Sequence, residues 1–116
     1  MTEDSAAVDP EKAREMVASN EATAVDIRDS DAWRKGHLPG ARHHPEDELE
    51  EGLEQIDSEQ TVIIVCEDGN ASAKVAESLS GEGGRKAVSL EGGMKAWRSD
   101  DMPMQPSTDP DDDVPI

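Results

Sequence analysis

Cys66 is the only cysteine in the 116 residues. It closes the apolar run Thr61-Val62-Ile63-Ile64-Val65 and is followed at once by Glu67, Asp68, Gly69, Asn70, Ala71 and Ser72. A thiol used only for packing belongs inside such a run, whereas one used for chemistry belongs at its mouth. Gly69 and Asn70 tolerate the backbone angles of a tight cradle, and a helical pattern begins just beyond them. A loop of this kind can turn several backbone N–H groups toward the sulfur, with the positive end of the helix behind them. Such donors stabilise a thiolate, a persulfide or a bound oxyanion. The arrangement points to a nucleophile, with a small apolar cysteine ending a core strand as the alternative.

The elements that must position this thiol alternate in type. "DPEKAREMVASN" predicts a helix, with Asp9 as cap, Pro10 in the first turn, and Ala13, Met16 and Val17 on one face. "ATAVDIR" predicts a buried strand, and "SDAWRKG" a short helical turn capped by Ser30 and stopped by Gly36. Pro39-Gly40 fits the centre of a type II turn. The acidic segment from Glu46 to Glu59 keeps Leu49, Leu53 and Ile56 at helical spacing, so it is expected to be an amphipathic surface helix. Thr61 to Val65 is apolar and β-branched throughout, as strands buried on both faces of a parallel sheet are. Val75, Ala76 and Leu79 then take up a helical period that ends in Gly81 to Gly84. "KAVSL" predicts another strand, and "EGGMKAWRSD" a Gly-Gly turn into a last short helix. Strands alternating with helices predict an α/β fold with a mainly parallel sheet, whose ligands bind at the carboxyl ends of its strands.

Composition excludes several classes of function. Asp and Glu number 28 against 11 Lys and Arg, a formal net charge of -17. Such a surface repels nucleic acid and anionic membranes. The acids are spread along nearly every segment, which suits a salt-rich cytoplasm where a Debye length of ~3 Å at 1 M hides self-repulsion. A halophilic, cytoplasmic protein is therefore expected, with an acidic interaction protein as the alternative. One cysteine makes no internal disulfide. "MTEDSAAVD" has neither the basic nor the apolar region of a signal peptide, and the run Val62 to Cys66 is far too short to span a bilayer. From Ser99 the chain carries acids and prolines with almost no apolar pattern, so 99–116 is expected to be a disordered tail, and 1–7 a flexible N-terminus.

Three ordered blocks resemble the rhodanese-like sulfurtransferases. "VCEDGNASAKVAESL" is similar to the family's active loop, "VDIRDSDAWRKGHLPGA" to its Asp-x-Arg, aromatic, Gly-His-x-Pro-Gly-Ala block, and "LEGGMKAW" to its closing Leu-x-Gly-Gly-x-x-x-Trp. The resemblance implies one module over residues 8–98, a sheet of about five strands flanked by helices on both faces. It also implies a sulfane-sulfur carrier. Cys66 would take sulfur from thiosulfate or a persulfide and hold it as its own persulfide. Backbone N–H groups from Glu67 to Ser72 would stabilise the charge, and a thiol, cyanide or a sulfur-carrier or thiolation protein would accept the sulfur. No metal or organic cofactor is needed. Asp26 and Arg28 are expected to form a buried ion pair beneath the site. His37 is expected to bond backbone, and Trp33 and Trp97 to fill the core. Arg42, His43 and His44 stand where relatives carry an apolar short strand, without the cysteine or acid spacing of a zinc site.

The loop departs from the family pattern. Relatives often place Arg or Lys there to hold an anionic donor, whereas this chain has Ala71 at the sixth position and adds Glu67 and Asp68. A carboxylate ~6 Å from a thiolate costs roughly 0.7 kcal/mol in bulk water and ~3 kcal/mol at an effective dielectric of 20. Both acids are expected to face solvent, with Lys74 and Arg42 as the nearest basic candidates to compensate. A non-catalytic binding module of the same fold is the principal alternative function. A cysteine phosphatase or arsenate reductase is weaker, because its loop would end in an anion-clamping Arg where this chain has Ser72 and Ala73.

Overall fold

The computed structural model of the chain describes residues 7–81 and 84–105. Five strands, β1 (Ala7–Val8), β2 (Ala22–Asp26), β3 (Arg42–His43), β4 (Thr61–Val65) and β5 (Ala87–Leu90), form one sheet in the order β1-β5-β4-β2-β3. Every pairing is parallel. Five helices alternate with them: α1 (Pro10–Ala18), α2 (Ser30–Lys35), α3 (Leu49–Leu53), α4 (Asn70–Gly81) and α5 (Gly93–Ser99). The expected α/β architecture is therefore present, with helices on both faces.

The period of two along β4 builds both cores. Val62 and Ile64 face one side with Leu49, Leu53, Ile56 and Ala76, from α3, the turn after it and α4. Ile63 and Val65 face the other with Ala13, Met94 and Trp97, from α1 and α5. Each fully buried aliphatic side chain of this kind contributes about 1.5–3 kcal/mol relative to an exposed one. Trp97 is wholly buried, as expected, and its Nε1–H donates to the Pro103 carbonyl at 2.8 Å. The register sets the ends of the central strands level: Asp26 pairs with Val65 on one side and His43 on the other. Cys66 thus emerges beside the residues that follow Asp26.

Several local expectations are corrected. Asp29, not Ser30, caps α2: its backbone is extended and its carboxylate accepts from the Ala32 N–H at 2.9 Å, while Ser30 is already helical. The acidic segment is not one long helix but a 3₁₀ turn (Glu46–Glu48) followed by the short α3. At Gly52 in α3 the His44 ring occupies the space where a Cβ would stand. Trp33 is half-buried rather than core, and stacks on His37 with ring centroids 3.4 Å apart and on His43 at 4.7 Å.

The chain ends also differ from expectation. Ala7, assigned to the flexible N-terminus, pairs with Ser89 as part of β1. Residues 99–105, assigned to the disordered tail, pack instead as a strap. Met102 and Met104 lie against the α1–α5 core, and His37 and Gln105 exchange two backbone hydrogen bonds of 3.0 and 2.8 Å. Alternate methionines supply apolar anchors that the acidic composition around them obscures. Residues 1–6 and 106–116 of those two expected segments lie outside the described residues.

Candidate active site

Strand β4 delivers Cys66 to the carboxyl edge of the sheet, where its side chain is 5% exposed. Two backbone N–H groups converge on Sγ, from Gly69 at 3.1 Å and from Ser72 at 3.3 Å. The Ser72 hydroxyl lies 3.2 Å from Sγ and 2.7 Å from the Ser89 hydroxyl. Both serines are buried, so sulfur and hydroxyls form one polar chain under the loop. With the thiol protonated, S–H donates to Ser72 Oγ; with the sulfur charged, the hydroxyl turns and donates to it, and Ser89 can donate in turn to Ser72.

The other loop residues divide by role. Asp68 Oδ1 stands 4.0 Å from Sγ and accepts the Asn70 N–H at 2.9 Å, so that N–H bends the loop rather than reaching the sulfur. Ala71 is exposed. Gly69 has a φ of +92°, and a Cβ there would stand 2.9 Å from the Gly92 nitrogen. The loop therefore rests on the Gly92-Gly93 turn, where only glycine fits its backbone angle and the close approach. The Met94 and Lys95 N–H groups complete the join, donating to the carbonyls of Cys66 and Glu67 at 2.9 Å each.

Beneath the loop, Asp26 and Arg28 form the expected buried pair. The Arg28 Nε and Nη2 donate to the Asp26 carboxylate at 2.9 and 2.8 Å, and its own N–H donates to Oδ1 at 3.0 Å. Nη2 also donates to the Gly36 carbonyl at 2.8 Å, and Nη1 to Glu67 Oε1 at 3.2 Å. His43 Nε2 bonds the Arg28 carbonyl at 2.8 Å, and His37 Nδ1 the Trp33 carbonyl at 3.0 Å.

Glu67 does not simply face solvent: its carboxylate bridges Arg28 and Arg98. Burial alone would raise its pKa, but the hydrogen bond and charge of Arg98, and then those of Arg28, outweigh it and hold the carboxyl below its ordinary range. Nor do the anticipated basic residues compensate. Lys74 is exposed on α4, in a groove with Glu46, Asp47 and Glu50, and Arg42 reaches Gln55 Oε1 at 2.9 Å. Sequence reasoning missed Ser89, Arg98 and the Gly92-Gly93 contact with the loop. A serine inside the otherwise apolar "AVSL" was the one available signal for the first.

The histidines make stability depend on pH. Burial pushes His37 and His44 below the ordinary value of 6.5. The unfolded chain then binds more protons near and below that value, so stability falls as pH falls through this range. The depressed carboxyl of Glu67 adds a later loss, since its contribution is present above the ordinary 4.5 and disappears as pH drops through its folded value. Urea unfolding midpoints at fixed salt are expected to decline from pH 7.5 to 5.5 and more steeply toward pH 4. A flat profile over the upper interval would show that neither histidine is linked to folding.

Five parallel strands, helices on both faces and one thiol cradled at the strand ends define a small α/β domain of cysteine-loop type. Residues 9–100 match the family model "Rhodanese-like domain", and the chain belongs to that family. The thiosulfate sulfurtransferase GlpE of Ectopseudomonas mendocina is 36% identical over 92 residues, covering 79% of this chain and 84% of the relative. Its counterpart in Pseudomonas putida is 35% identical over the same coverage. Among solved structures, a rhodanese-like domain protein from Staphylococcus aureus is 30% identical with a TM-score of 0.70, over 80% of this chain and 91% of that one. A rhodanese-related protein from Thermoplasma volcanium has a TM-score of 0.77 at 24% identity, over 87% and 98%, and shares the fold.

Proposed function

We propose that the protein is a sulfurtransferase that carries sulfane sulfur on Cys66. The observation supporting this most directly is the pair of N–H groups, from Gly69 and Ser72, aimed at Sγ at the end of β4. The family membership and the thiosulfate sulfurtransferases at about 35% identity favour the same reading.

In the first half-reaction the Cys66 thiolate attacks the outer sulfur of the donor. A new S–S bond forms, and the donor's own bond to that sulfur breaks, with sulfite or a thiolate leaving with the electron pair. In the second, an acceptor nucleophile attacks the terminal sulfur of Cys66–S–S⁻, and the Cys66 thiolate departs with the pair. Splitting one transfer in two is covalent catalysis. The Gly69 and Ser72 N–H groups and the Ser72 hydroxyl stabilise the negative charge, while Ser89 orients that hydroxyl. Asp26 and Arg28 brace the loop from below. The sulfur itself is the cargo, and the two half-reactions balance without a metal or organic cofactor.

The acidic surface fits work in a salt-rich cytoplasm, so the test is run in molar salt. Intact mass after exposure to thiosulfate, and separately to a small-molecule persulfide, is expected to rise by one sulfur atom in the wild type. Cys66→Ala should show no gain and no cyanide-dependent thiocyanate. No gain in the wild type from either donor would leave a binding module as the better description, and thiocyanate formation retained in that variant would remove Cys66 as the sulfur carrier.

A further inference from the structure

Glu67 is the sole partner of Arg98 among the described contacts and one of three acceptors around Arg28. Arg28 is enclosed, its side chain 6% exposed, whereas Arg98 and Glu67 are 46% and 44% exposed. The three residues line a cleft of about 600 Å³ along the Glu67 side of the loop, with Lys35, Asp29 and Asp31 on its wall. The sulfurtransferase reading requires a donor to approach the thiol beside this cleft, and the two arginines there that would attract an anionic donor are already occupied by a carboxylate of the same chain. That carboxylate belongs to the residue bonded directly to Cys66.

We propose that Glu67 is a built-in competitor for the donor's charge, which sets the donor class of the site. It holds Arg98 and the free edge of Arg28, and it disfavours dianionic thiosulfate relative to a persulfide bearing at most one negative charge. A neutral side chain at this position would free Arg98, the more exposed of the two arginines, to clamp an oxyanion by two N–H groups. Arg28 would stay in place because Asp26 and the Gly36 carbonyl still hold it. Glu67 is thus a specificity-determining residue that acts through Arg98. The inference rests on the sulfurtransferase reading, although its central claim concerns anion binding and is testable apart from turnover.

Two experiments test it. In the first, sulfur loading by thiosulfate and by 2-hydroxyethyl persulfide is timed by intact mass, at the lowest salt that keeps the protein folded. Glu67→Gln is expected to speed loading from thiosulfate at least tenfold while changing the persulfide rate less than threefold. Adding Arg98→Ala to Glu67→Gln should cancel the gain, which a purely structural role for Glu67 would not predict. An unchanged donor ratio in Glu67→Gln, or a gain that survives without Arg98, would overturn the proposal.

In the second, thiosulfate binding is measured by calorimetry on Cys66→Ala and on Cys66→Ala/Glu67→Gln, with thermal unfolding confirming that both are folded. The double variant should bind thiosulfate at least tenfold more tightly. Equal affinities would refute the proposal even if sulfur loads normally. If neither donor loads the wild type but the double variant binds more tightly, the sulfurtransferase reading falls and the anion-excluding role of Glu67 stands.

Discussion

Asp26→Ala is expected to destabilise the domain by about 3–5 kcal/mol, the range for removing one partner of a buried ion pair. Asp26 is fully buried and Arg28 nearly so, and the carboxylate accepts from both the guanidinium and the Arg28 backbone. Alanine would leave a largely buried cation with the Gly36 carbonyl and Glu67 as its remaining acceptors. Since whole domains are stable by only 5–15 kcal/mol, a large part of the folding free energy would go. Urea unfolding in molar salt measures the loss. A change below about 1 kcal/mol would mean that Glu67 swings inward to replace Asp26. Exchanging both partners for apolar residues of similar volume, as in Asp26→Leu with Arg28→Met, should be far milder. That contrast separates the penalty of an orphaned charge from the net worth of the pair.

Gly93→Ala is expected to cost about 2–4 kcal/mol, from a left-handed backbone combined with a main-chain collision. Gly93 has a φ of +62°, and a Cβ there would lie 2.6 Å from the Cys66 and Glu67 carbonyl oxygens. Neither obstacle is the flexible end of a side chain, so relief requires the loop itself to shift. Gly84→Ala serves as the control, with a φ of +66° and no atom within 4 Å of the added carbon. It should cost only the backbone component, about 1 kcal/mol. Sulfur loading should fall in Gly93→Ala and stay unchanged in Gly84→Ala. Equal stability losses in the two variants would show that the Gly93 contact with the cysteine loop is inconsequential.

The elements with strong local signals were legible in the sequence. β4 was announced by five consecutive β-branched residues, and α1 by Asp9 and Pro10 at its start. β1 was not, because a two-residue edge strand carries no periodicity of its own and exists only through its pairing with β5. The acidic helix was overread because Leu49, Leu53 and Ile56 keep a helical spacing that continues through a 3₁₀ turn and an irregular segment. The site followed the same rule. Cys66, Gly69 and Ser72 lie within seven residues, and their grouping was visible. The partners of Glu67 stand 39 and 31 residues away in sequence, so no spacing rule could distinguish a bridging carboxylate from a solvated one. Size alone places Trp33 in the core, whereas histidines on two neighbouring segments give its ring a stacking platform near the surface.

The pairing of β1 with β5 also governs when the fold can close during synthesis. The first strand of this sheet finds its hydrogen-bonding partner only in the sheet's last, Ala7 waiting for Ser89 and Val8 for Leu90. Until then one flank of β5's place is empty and the buried edge of β4 stays exposed on that side. Non-local parallel pairings of this sort are slow to form, because loop closure must precede any gain from contact. Nascent chains of this protein therefore complete their sheet late, after nearly the whole domain has emerged.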